Sequence, residues 1–306
     1  TGLGVSFYPE DGEDIESLVK RADVAMYRAK GEGKNKYCFY NPSMDAQSLG
    51  RLKLQSSLRK AVERNEFVLH FQPQVNLENG NVFGVEALVR WKDGERGLIP
   101  PGDFIPLAEE SGLIIPLGDW VMREACSQVK KWEEEGLEIN LTINLSAHQL
   151  RFDRLIESIA EAIMDSGLRP DRVGLEITES VAMNDVELSI KMMNHIKDMG
   201  VNILIDDFGT GYSSLSYLTR FPINKLKIDR SFMQKLPQSR NDVALVSAII
   251  ALAHDMNFEV VAEGVETEEQ LRFLNERGCH AMQGYFVSKP LPAESFLEWI
   301  LVNNTD

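Results

Sequence analysis

The segment VNILIDDFGTG, residues 201 to 211, places two aspartates directly after a short apolar run. The run VNILI is typical of a buried parallel strand, and the Gly-Thr-Gly sequence soon after it indicates a turn. Burying unpaired carboxylates is costly, so a positively charged group has to accompany Asp206 and Asp207. That group could be a basic side chain, a helix N-terminus or a metal ion.

On both sides of this segment, from about residue 67 onward, strand-like runs alternate with helical patterns. The strand-like runs are FVLHFQPQV, VFGVEALVRW, INLTINLS, VGLEITES, VNILIDDF, INKLKIDRSF, FEVVAEGV and HAMQGYFVS. The helical patterns are LGDWVMREACSQVKKWEEEG, LIESIAEAIMDSG, VELSIKMMNHIKDMG, ALVSAIIALAHDM and TEEQLRFLNERG. This alternation predicts an α/β fold, a TIM-like (β/α)8 barrel rather than an open sheet.

The start of the barrel is expected to be irregular, because LENGN joins the first two runs and leaves no room for a helix. The first strand should therefore lie antiparallel to the second. Residues 1–41 read as a separate β-α-β unit with a helix from about Ile15 to Lys30, too small to bury a core alone. We predict a linking helix over residues 42–66 and the barrel over residues 67–306.

The composition limits the classes of function. A net charge of −15 over 306 residues argues against binding DNA or RNA polymers, which need clustered Lys and Arg. The three cysteines have no metal-ligand spacing, so a reducing, cytoplasmic location is the simplest interpretation. The longest apolar run, VALVSAIIALA, is too short to span a bilayer. A membrane anchor further upstream in a longer parent protein remains possible.

Polar residues stand at the ends of the predicted strands, and in such a barrel those ends meet at one face. Taken singly, each could be a helix cap, a surface group, an ion-pair partner or a core polar residue. Taken together, so many oxygen donors would repel one another without cations. These residues are Glu86, Asn144, Glu176, Asp206, Asp207, Lys227, Asp229, Glu263 and Gln283.

The chemistry of this set favours particular metals. Hard oxygen ligands without Cys or an obvious His suit Mg²⁺ or Mn²⁺ better than zinc. There are enough carboxylates for two ions, and a carboxylate that bridges them would explain the Asp206–Asp207 pair. Paired ions of this kind serve the hydrolysis of phosphoryl esters.

Several of these segments, in this order, resemble the EAL-domain family of cyclic di-GMP phosphodiesterases. The segments are EALVRW, NLS, EITES, DDFGTGYSSL, KLKIDRSF, AEGVE and QGYFVSKP, and the resemblance covers about residues 50 to 301. It implies an irregular (β/α)8 barrel that hydrolyses cyclic di-GMP to linear pGpG with two Mg²⁺ or Mn²⁺ ions. It also implies a homodimer.

The resemblance further implies roles for individual residues. The metal ligands would be Glu86, Asn144, Glu176, Asp206, Asp207 and Glu263. Lys227 would orient or deprotonate the attacking water, Asp229 would support that strand end, and Arg90 would meet a phosphate. The nucleotide would be lined by Gln72, Gln283, Pro290 and Leu291.

Two further glutamates, Glu179 and Glu266, would brace the loop that follows Asp207. The carboxylate of Glu179 could accept hydrogen bonds from backbone N–H groups of that loop, from Thr210 or from Ser213. Its alternative role is only to cap the helix that follows.

Residues 1–41, with ADVAMYRAKGEGKNKYCFY, resemble the C-terminal end of a GGDEF diguanylate cyclase domain. The signature that gives that domain its name is absent from the sequence, so this fragment is not expected to be a cyclase. Two alternatives to a phosphodiesterase are a non-catalytic cyclic di-GMP receptor and a partner-binding scaffold. Loss of metal ligands or of DDFGTG would favour the receptor, and the sequence shows neither loss.

Overall fold

A computed structural model describes residues 2–31, 36–211 and 215–303 of the chain. The chain forms two compact units, residues 1–64 and residues 65–306. Among the described residues, no helix is both long and apolar enough to cross a lipid bilayer.

The first unit has the β-α-β arrangement predicted for the N-terminus, followed by a long helix. Strands β1 and β2 are parallel, as the crossover through α1 requires. Its small apolar cluster is formed by Ala25, Tyr40 and Met44. The elements are β1(Gly2–Val5), α1(Ile15–Gly31), β2(Lys36–Phe39) and α2(Ser43–Arg64).

The second unit is a closed barrel of eight strands. All eight predicted strand-like runs form strands in it, and the order around the barrel is β3-β4-β6-β7-β8-β9-β10-β11, closed by pairing of β11 with β3. The two short strands β5 and β12, which the sequence pattern did not predict, pair antiparallel with β4 and β3. The strands are β3(Phe67–Asn76), β4(Val82–Asp93), β5(Gly97–Ile99), β6(Asn140–Leu145), β7(Val173–Thr178), β8(Asn202–Phe208), β9(Lys225–Ile228), β10(Glu259–Glu263), β11(Ala281–Gln283) and β12(Leu291–Pro292).

The irregular start of the barrel is confirmed. Strand β3 is antiparallel to both of its barrel neighbours, β4 and β11, whereas the other seven barrel strands, β4 and β6 to β11, run parallel to one another. The turn between β3 and β4 needs only a few residues, which is why two adjacent barrel strands can be joined without a helix. The prediction of a TIM-like barrel with an antiparallel first strand therefore holds.

Helices surround the barrel, and the five predicted helical patterns correspond to α4, α6, α8, α11 and α12. An apolar layer lies between strands and helices, where the ring of Trp132 packs against Phe71 and Phe296 at centroid distances of 4.8 and 4.9 Å. The helices are α3(Pro101–Ser111), α4(Ile114–Glu134), α5(Ala147–Leu150), α6(Leu155–Ser166), α7(Glu179–Asn184), α8(Val186–Asp198), α9(Leu215–Leu218), α10(Arg230–Met233), α11(Arg240–Asp255), α12(Glu268–Glu276) and α13(Ala293–Asn303).

Several of the shortest helices, which the sequence pattern did not predict, begin directly after a strand. Helix α7 follows β7 with Thr178 as its N-cap, and α10 follows β9 with Asp229 as its N-cap. These one-turn helices lie at the carboxyl ends of the strands. They therefore frame the face of the barrel at which the predicted site residues stand.

Candidate functional site

The side chain of Lys227 occupies the centre of the site and is completely buried. Its Nζ lies 2.6 Å from Glu176 Oε2, 3.3 Å from Glu86 Oε2 and 3.7 Å from Asp206 Oδ1. It also forms an ion pair with Glu263. Burial by itself would lower the pKa of Lys227, but the four carboxylates outweigh burial and hold this pKa well above its ordinary value.

A basic side chain, Lys227, is thus part of the positive charge that was expected beside Asp206 and Asp207. One ammonium group faces four carboxylates, one each from β4, β7, β8 and β10. The cluster would carry a net negative charge if all four were ionised. The lysine alone does not balance it, which leaves room for further positive charge.

Three side chains donate hydrogen bonds to the buried carboxylate of Glu86. Asn144 Nδ2 lies 2.6 Å from Oε1, Gln283 Nε2 lies 2.6 Å from Oε2, and Lys227 donates to Oε2 as well. Burial opposes ionisation of Glu86, but Lys227 and the two amides more than offset burial, so the pKa is lowered. Glu86 is therefore held as a carboxylate.

Glu176 is in the opposite situation. Its Oε2 accepts from Lys227, but its Oε1 is buried and has no hydrogen-bond partner among the described residues. Burial and the neighbouring charge of Glu86 raise the pKa of Glu176 well above its ordinary value. A buried carboxylate oxygen without a donor is unusual in a folded protein and fits a position that a cation would complete.

The two adjacent aspartates reach one site because the strand is irregular between them. Successive side chains of a regular strand point to opposite faces, which would send Asp207 away from Asp206. The pairing of β8 with β9 instead shifts register between Ile205 and Phe208, and Asp207 adopts a left-handed φ of 54°. Such bulges redirect side chains next to functional sites.

Carboxylate oxygens of Asp206, Asp207 and Glu263 lie within 4.8 Å of one another, a spacing that a metal ion could bridge. Burial and the charge of Asp206 raise the pKa of Asp207 to about 6. Burial also raises the pKa of Glu263, to about 8, despite the opposing effect of Lys227. Three mutually repelling carboxylates and an orphaned Glu176 oxygen form a donor set of hard oxygens that fits Mg²⁺ or Mn²⁺.

The loop after Asp207 is tied to the start of α7 through Glu179. The backbone N–H of Gly209 donates to Glu179 Oε2 at 2.7 Å, whereas the Thr210 hydroxyl donates to the Asp207 carbonyl. A Cβ at Gly211 would stand 2.5 Å from Glu179 Oε1, so glycine is what allows the loop to pass so close. Ser213, the other partner considered from the sequence, lies outside the described residues.

The N-terminus of α7 is capped by Thr178, whose hydroxyl accepts from the Val181 N–H, rather than by Glu179. Glu266 differs from Glu179, because no hydrogen bond joins its carboxylate to the loop within the described parts of the chain. Its side chain lies instead at the rim of a cavity above the carboxylate cluster.

This cavity has a volume of about 320 Å³ and opens over Glu86, Asp206 and Glu263. A second, mainly apolar cavity of about 540 Å³ adjoins it at Glu86 and Leu88. The lining of the first is formed by Gln72, Glu86, Leu88, Arg90, Asp206, Arg230, Glu263, Gly264, Glu266, Gln283, Gly284, Tyr285 and Pro290.

The six predicted metal ligands lie in one cluster, joined by the Asn144–Glu86 hydrogen bond, the ion pairs of Lys227 and the Asp206–Asp207–Glu263 group. Three of the six, Glu86, Asp206 and Glu263, line the cavity together with Gln72, Arg90, Gln283 and Pro290. Leu291 is not part of that lining and pairs with Phe71 on β3. Asp229 caps α10, and its negative charge raises the pKa of the nearby Asp207 further.

Both the NH2 group and the oxygen of the Gln283 amide form hydrogen bonds to other buried side chains. It donates to Glu86 and to Gln72 Oε1, and its oxygen accepts from Gln74 Nε2 at 3.0 Å. These bonds orient Glu86 from one side, as Asn144 does from the other. Gln74 was not predicted as a site residue, although it lies two residues after Gln72 and therefore on the same inward face of β3.

Arg230, Gly264 and Tyr285 also line the cavity and were not singled out from the sequence. The signal for Arg230 was available, since it directly follows Asp229 at a strand end. Arg230 stood inside the strand-like run INKLKIDRSF and was given no role of its own.

Comparison with known proteins agrees with this geometry. Residues 55–290 match the EAL domain family, and residues 1–36 match the family described as diguanylate cyclase, GGDEF domain. The bifunctional diguanylate cyclase/cyclic di-GMP phosphodiesterase MucR of Pseudomonas aeruginosa is 47% identical over 296 residues, which cover 96% of this chain and 43% of MucR. The cyclic di-GMP phosphodiesterase PdeR of Escherichia coli is 39% identical over 297 residues, covering 97% of this chain and 45% of PdeR.

Among solved structures, the PaMucR phosphodiesterase in complex with c-di-GMP superimposes with a TM-score of 0.78 at 48% identity. That match covers 80% of this chain and 99% of the other. The chain spans less than half of the length of MucR and PdeR. The chain belongs to the EAL domain family and carries, ahead of that domain, a short fragment of a GGDEF domain.

Proposed function

We propose that this chain hydrolyses cyclic di-GMP to linear pGpG in a reaction that depends on two Mg²⁺ or Mn²⁺ ions. The observation that carries the proposal is the cluster of buried carboxylates around Lys227, in which Glu176 Oε1 has no donor among the described residues. Relatives named as cyclic di-GMP phosphodiesterases support the choice of substrate.

The metal ligands in this proposal are the six residues expected from the sequence. Two bound ions would supply charge neutralisation at the phosphate and a more acidic bound water. Asp206, Asp207 and Glu263 offer one group of oxygens, and Glu86, Glu176 and Asn144 extend it. Asn144 donates its Nδ2 to Glu86, which turns its Oδ1 into the atom available for a cation.

Lys227 acts in this proposal as a charged donor. Four carboxylates stabilise its ammonium form, so a neutral lysine that takes a proton from water is disfavoured in the metal-free site. The ammonium instead holds the carboxylates at fixed separations and orients the attacking water by donating a hydrogen bond. Asp229 supports the end of the same strand by capping α10.

The substrate would lie over the carboxylate cluster. Arg90, from β4, would bind a phosphate, and its guanidinium donates only to the carbonyl of Val89 within the described chain. Gln72, Gln283, Pro290 and Leu291 would border the nucleotide, with Gln283 acting chiefly by orienting Glu86. The two adjoining cavities offer space for a ligand much larger than a phosphate ion.

The direct test is to incubate the purified chain with cyclic di-GMP and Mg²⁺ or Mn²⁺ and to separate the products by chromatography. We expect pGpG, no turnover in excess chelator, and poor turnover with Ca²⁺, which prefers longer bonds and looser geometry. Tight binding of cyclic di-GMP without pGpG would identify a receptor instead. Undiminished turnover in chelator would contradict the assignment of metals.

Glu179→Ala tests whether the loop needs its anchor. Removing the carboxylate that accepts from Gly209 lets Asp207 shift, and a misplacement of about 1 Å can cost about 10²-fold in rate. We expect kcat to fall by roughly that factor, while the affinity for cyclic di-GMP changes about threefold at most and the circular dichroism spectrum is unchanged.

The control is Glu187→Ala, which removes an exposed carboxylate of α8 that pairs with Arg220. This variant should retain the parental rate because surface ion pairs contribute little. If Glu179→Ala turned over at the parental rate with the same requirement for metal, the loop would not depend on Glu179.

Assembly and location extend the same proposal. We expect the chain to form a homodimer, which sedimentation at several protein concentrations would reveal. Its three cysteines are free thiols. Free thiols agree with the reducing cytoplasm, where we place the reaction.

A further inference from the structure

Arg230 is an exposed arginine at the start of α10 whose side chain lines the cavity over the carboxylate cluster. Glu86, Asp206, Glu263 and Glu266 line the same cavity. Even so, Arg230 forms no ion pair or side-chain hydrogen bond with any residue in the described part of the chain. Its guanidinium is therefore available to an anionic ligand that enters the cavity.

The position of Arg230 is built into the backbone. Gly264 follows β10 with a left-handed φ of 69°, and a Cβ at this residue would stand 2.5 Å from the Cβ of Arg230. Any larger residue at position 264 would push the start of α10 away from β10. The close contact between Gly264 and Arg230 thus holds the stem of the arginine beside the carboxylate cluster.

Arg230 and Arg90 come from opposite sides of the barrel. In the order β3-β4-β6-β7-β8-β9-β10-β11, strand β4 carries Arg90 and strand β9, which leads into Arg230, lies four places further round. In a closed ring of eight strands, four places is the diametrically opposite position. Arg90 and Arg230 therefore line the same cavity from opposite sides of the barrel.

A single phosphate does not explain two arginines on opposite sides of an otherwise acidic cavity. A cyclic dinucleotide carries two phosphodiester groups on opposite sides of its ring, and a chain with a net charge of −15 repels both of them at long range. Each group would gain from its own guanidinium, because charge-assisted hydrogen bonds to phosphate are strong.

We propose that Arg230 binds the phosphodiester of the cyclic dinucleotide that Arg90 does not bind, so that the two arginines fix the ring across the barrel mouth. This inference rests on the proposed function. It makes Arg230 a determinant of specificity for substrates with two phosphodiesters over substrates with one.

The test compares two substrates in the full chain. We expect Arg230→Gln to raise KM for cyclic di-GMP about 10-fold, the effect of one lost charged contact. KM for bis(p-nitrophenyl) phosphate, which has one phosphodiester, should change less than about 2-fold, and Arg230→Lys should fall between the parent and Arg230→Gln for cyclic di-GMP. Arg169→Gln is the matched control, because it removes an exposed arginine just before β7, at the opposite end of the barrel.

An unchanged KM for cyclic di-GMP in Arg230→Gln would overturn the inference. An equal rise in KM for both substrates would also overturn it, since Arg230 would then serve the reacting phosphate or the site as a whole. If the parent chain bound cyclic di-GMP without hydrolysing it, the proposed function would fail separately, and the dissociation constants of parent and variant would still decide the role of Arg230.

Discussion

Lys227→Met is expected to slow hydrolysis of cyclic di-GMP by about 10²- to 10⁴-fold, the contribution typical of a positioned proton-transfer or water-orienting group. The same change should destabilise the metal-free barrel by about 3–5 kcal/mol, because it leaves buried carboxylates without their cation. Glu86, Glu176, Asp206 and Glu263 all face the ammonium group that would be lost. Methionine nearly preserves the buried volume, so packing alone does not explain a large loss.

The measurement is urea denaturation with chelator and again with saturating Mg²⁺, alongside the rate of pGpG formation. Added Mg²⁺ should restore much of the lost stability, since a cation that binds only the folded site stabilises it and replaces the missing positive charge. Lys225→Met is the control, because Lys225 lies on the same strand but pairs with the exposed Glu259 and should cost about 1 kcal/mol or less. Similar losses in the two variants would return Lys227 to the role of an ordinary ion-pair partner.

The barrel itself could be predicted from the sequence because its signal is local. Each parallel strand is buried on both faces and is therefore a short apolar run, as VNILI and its counterparts are. The short link LENGN between β3 and β4 was enough to identify the antiparallel start. Strands β5 and β12 were missed because three and two residues are too few to show a periodic pattern.

The convergence of the acids could also be predicted, since parallel strands end at one face of a barrel. The identity of the cation that accompanies Asp206 and Asp207 could not be predicted from the sequence. Lys227 reaches carboxylates on four different strands, and those distances depend on the stagger of the closed sheet rather than on any local pattern. Of the three candidates, a basic side chain, a helix N-terminus and a metal ion, the sequence therefore favoured paired metal ions, and the four ion pairs of Lys227 are visible only in the closed barrel.

The bulge in β8 could not be predicted from the pattern of residues in the strand. Alternation along a regular strand predicts that Asp207 faces away from Asp206, yet both contribute oxygens to one group with Glu263. The left-handed conformation of Asp207 and the shift in register produce this arrangement. Asp is among the residues that tolerate this conformation, but nothing in the sequence around it requires the conformation.

Asp206→Asn is expected to lower the rate of cyclic di-GMP hydrolysis by at least about 10³-fold, because it removes negative charge where the proposed mechanism holds two ions and a phosphate together. Asparagine keeps the shape of the side chain, and its oxygen can still accept from the Asp207 N–H, which lies 2.8 Å from Asp206 Oδ1. The loop should therefore stay in place while the affinity for metal falls. Isothermal titration with Mn²⁺ and single-turnover kinetics would measure the two effects.

The stability of the same variant should move in the opposite direction when metal is absent. Burial, together with the charge of Glu86, raises the folded-state pKa of Asp206 despite the attraction of Lys227. The folded state thus holds this proton more tightly than the unfolded state, so the carboxyl contributes stability below about pH 4 that is lost as the pH rises through the folded pKa. The amide of the Asp206→Asn variant remains neutral at every pH, and at pH 7 in chelator this variant should unfold at a higher urea concentration than the parent.

Added Mg²⁺ should reverse that order, because the parent gains stability from the ion and the variant gains much less. Asp171→Asn, on an exposed residue near the start of β7, is the control and should leave rate, metal affinity and urea midpoint near the parental values. A metal-ligand carboxylate can be told from a structural one by these two measurements. Its removal raises the free energy of unfolding without metal and lowers it when metal is present. If Asp206→Asn were less stable than the parent in chelator, the carboxylate of Asp206 would stabilise the barrel itself and would not be explained as a metal ligand.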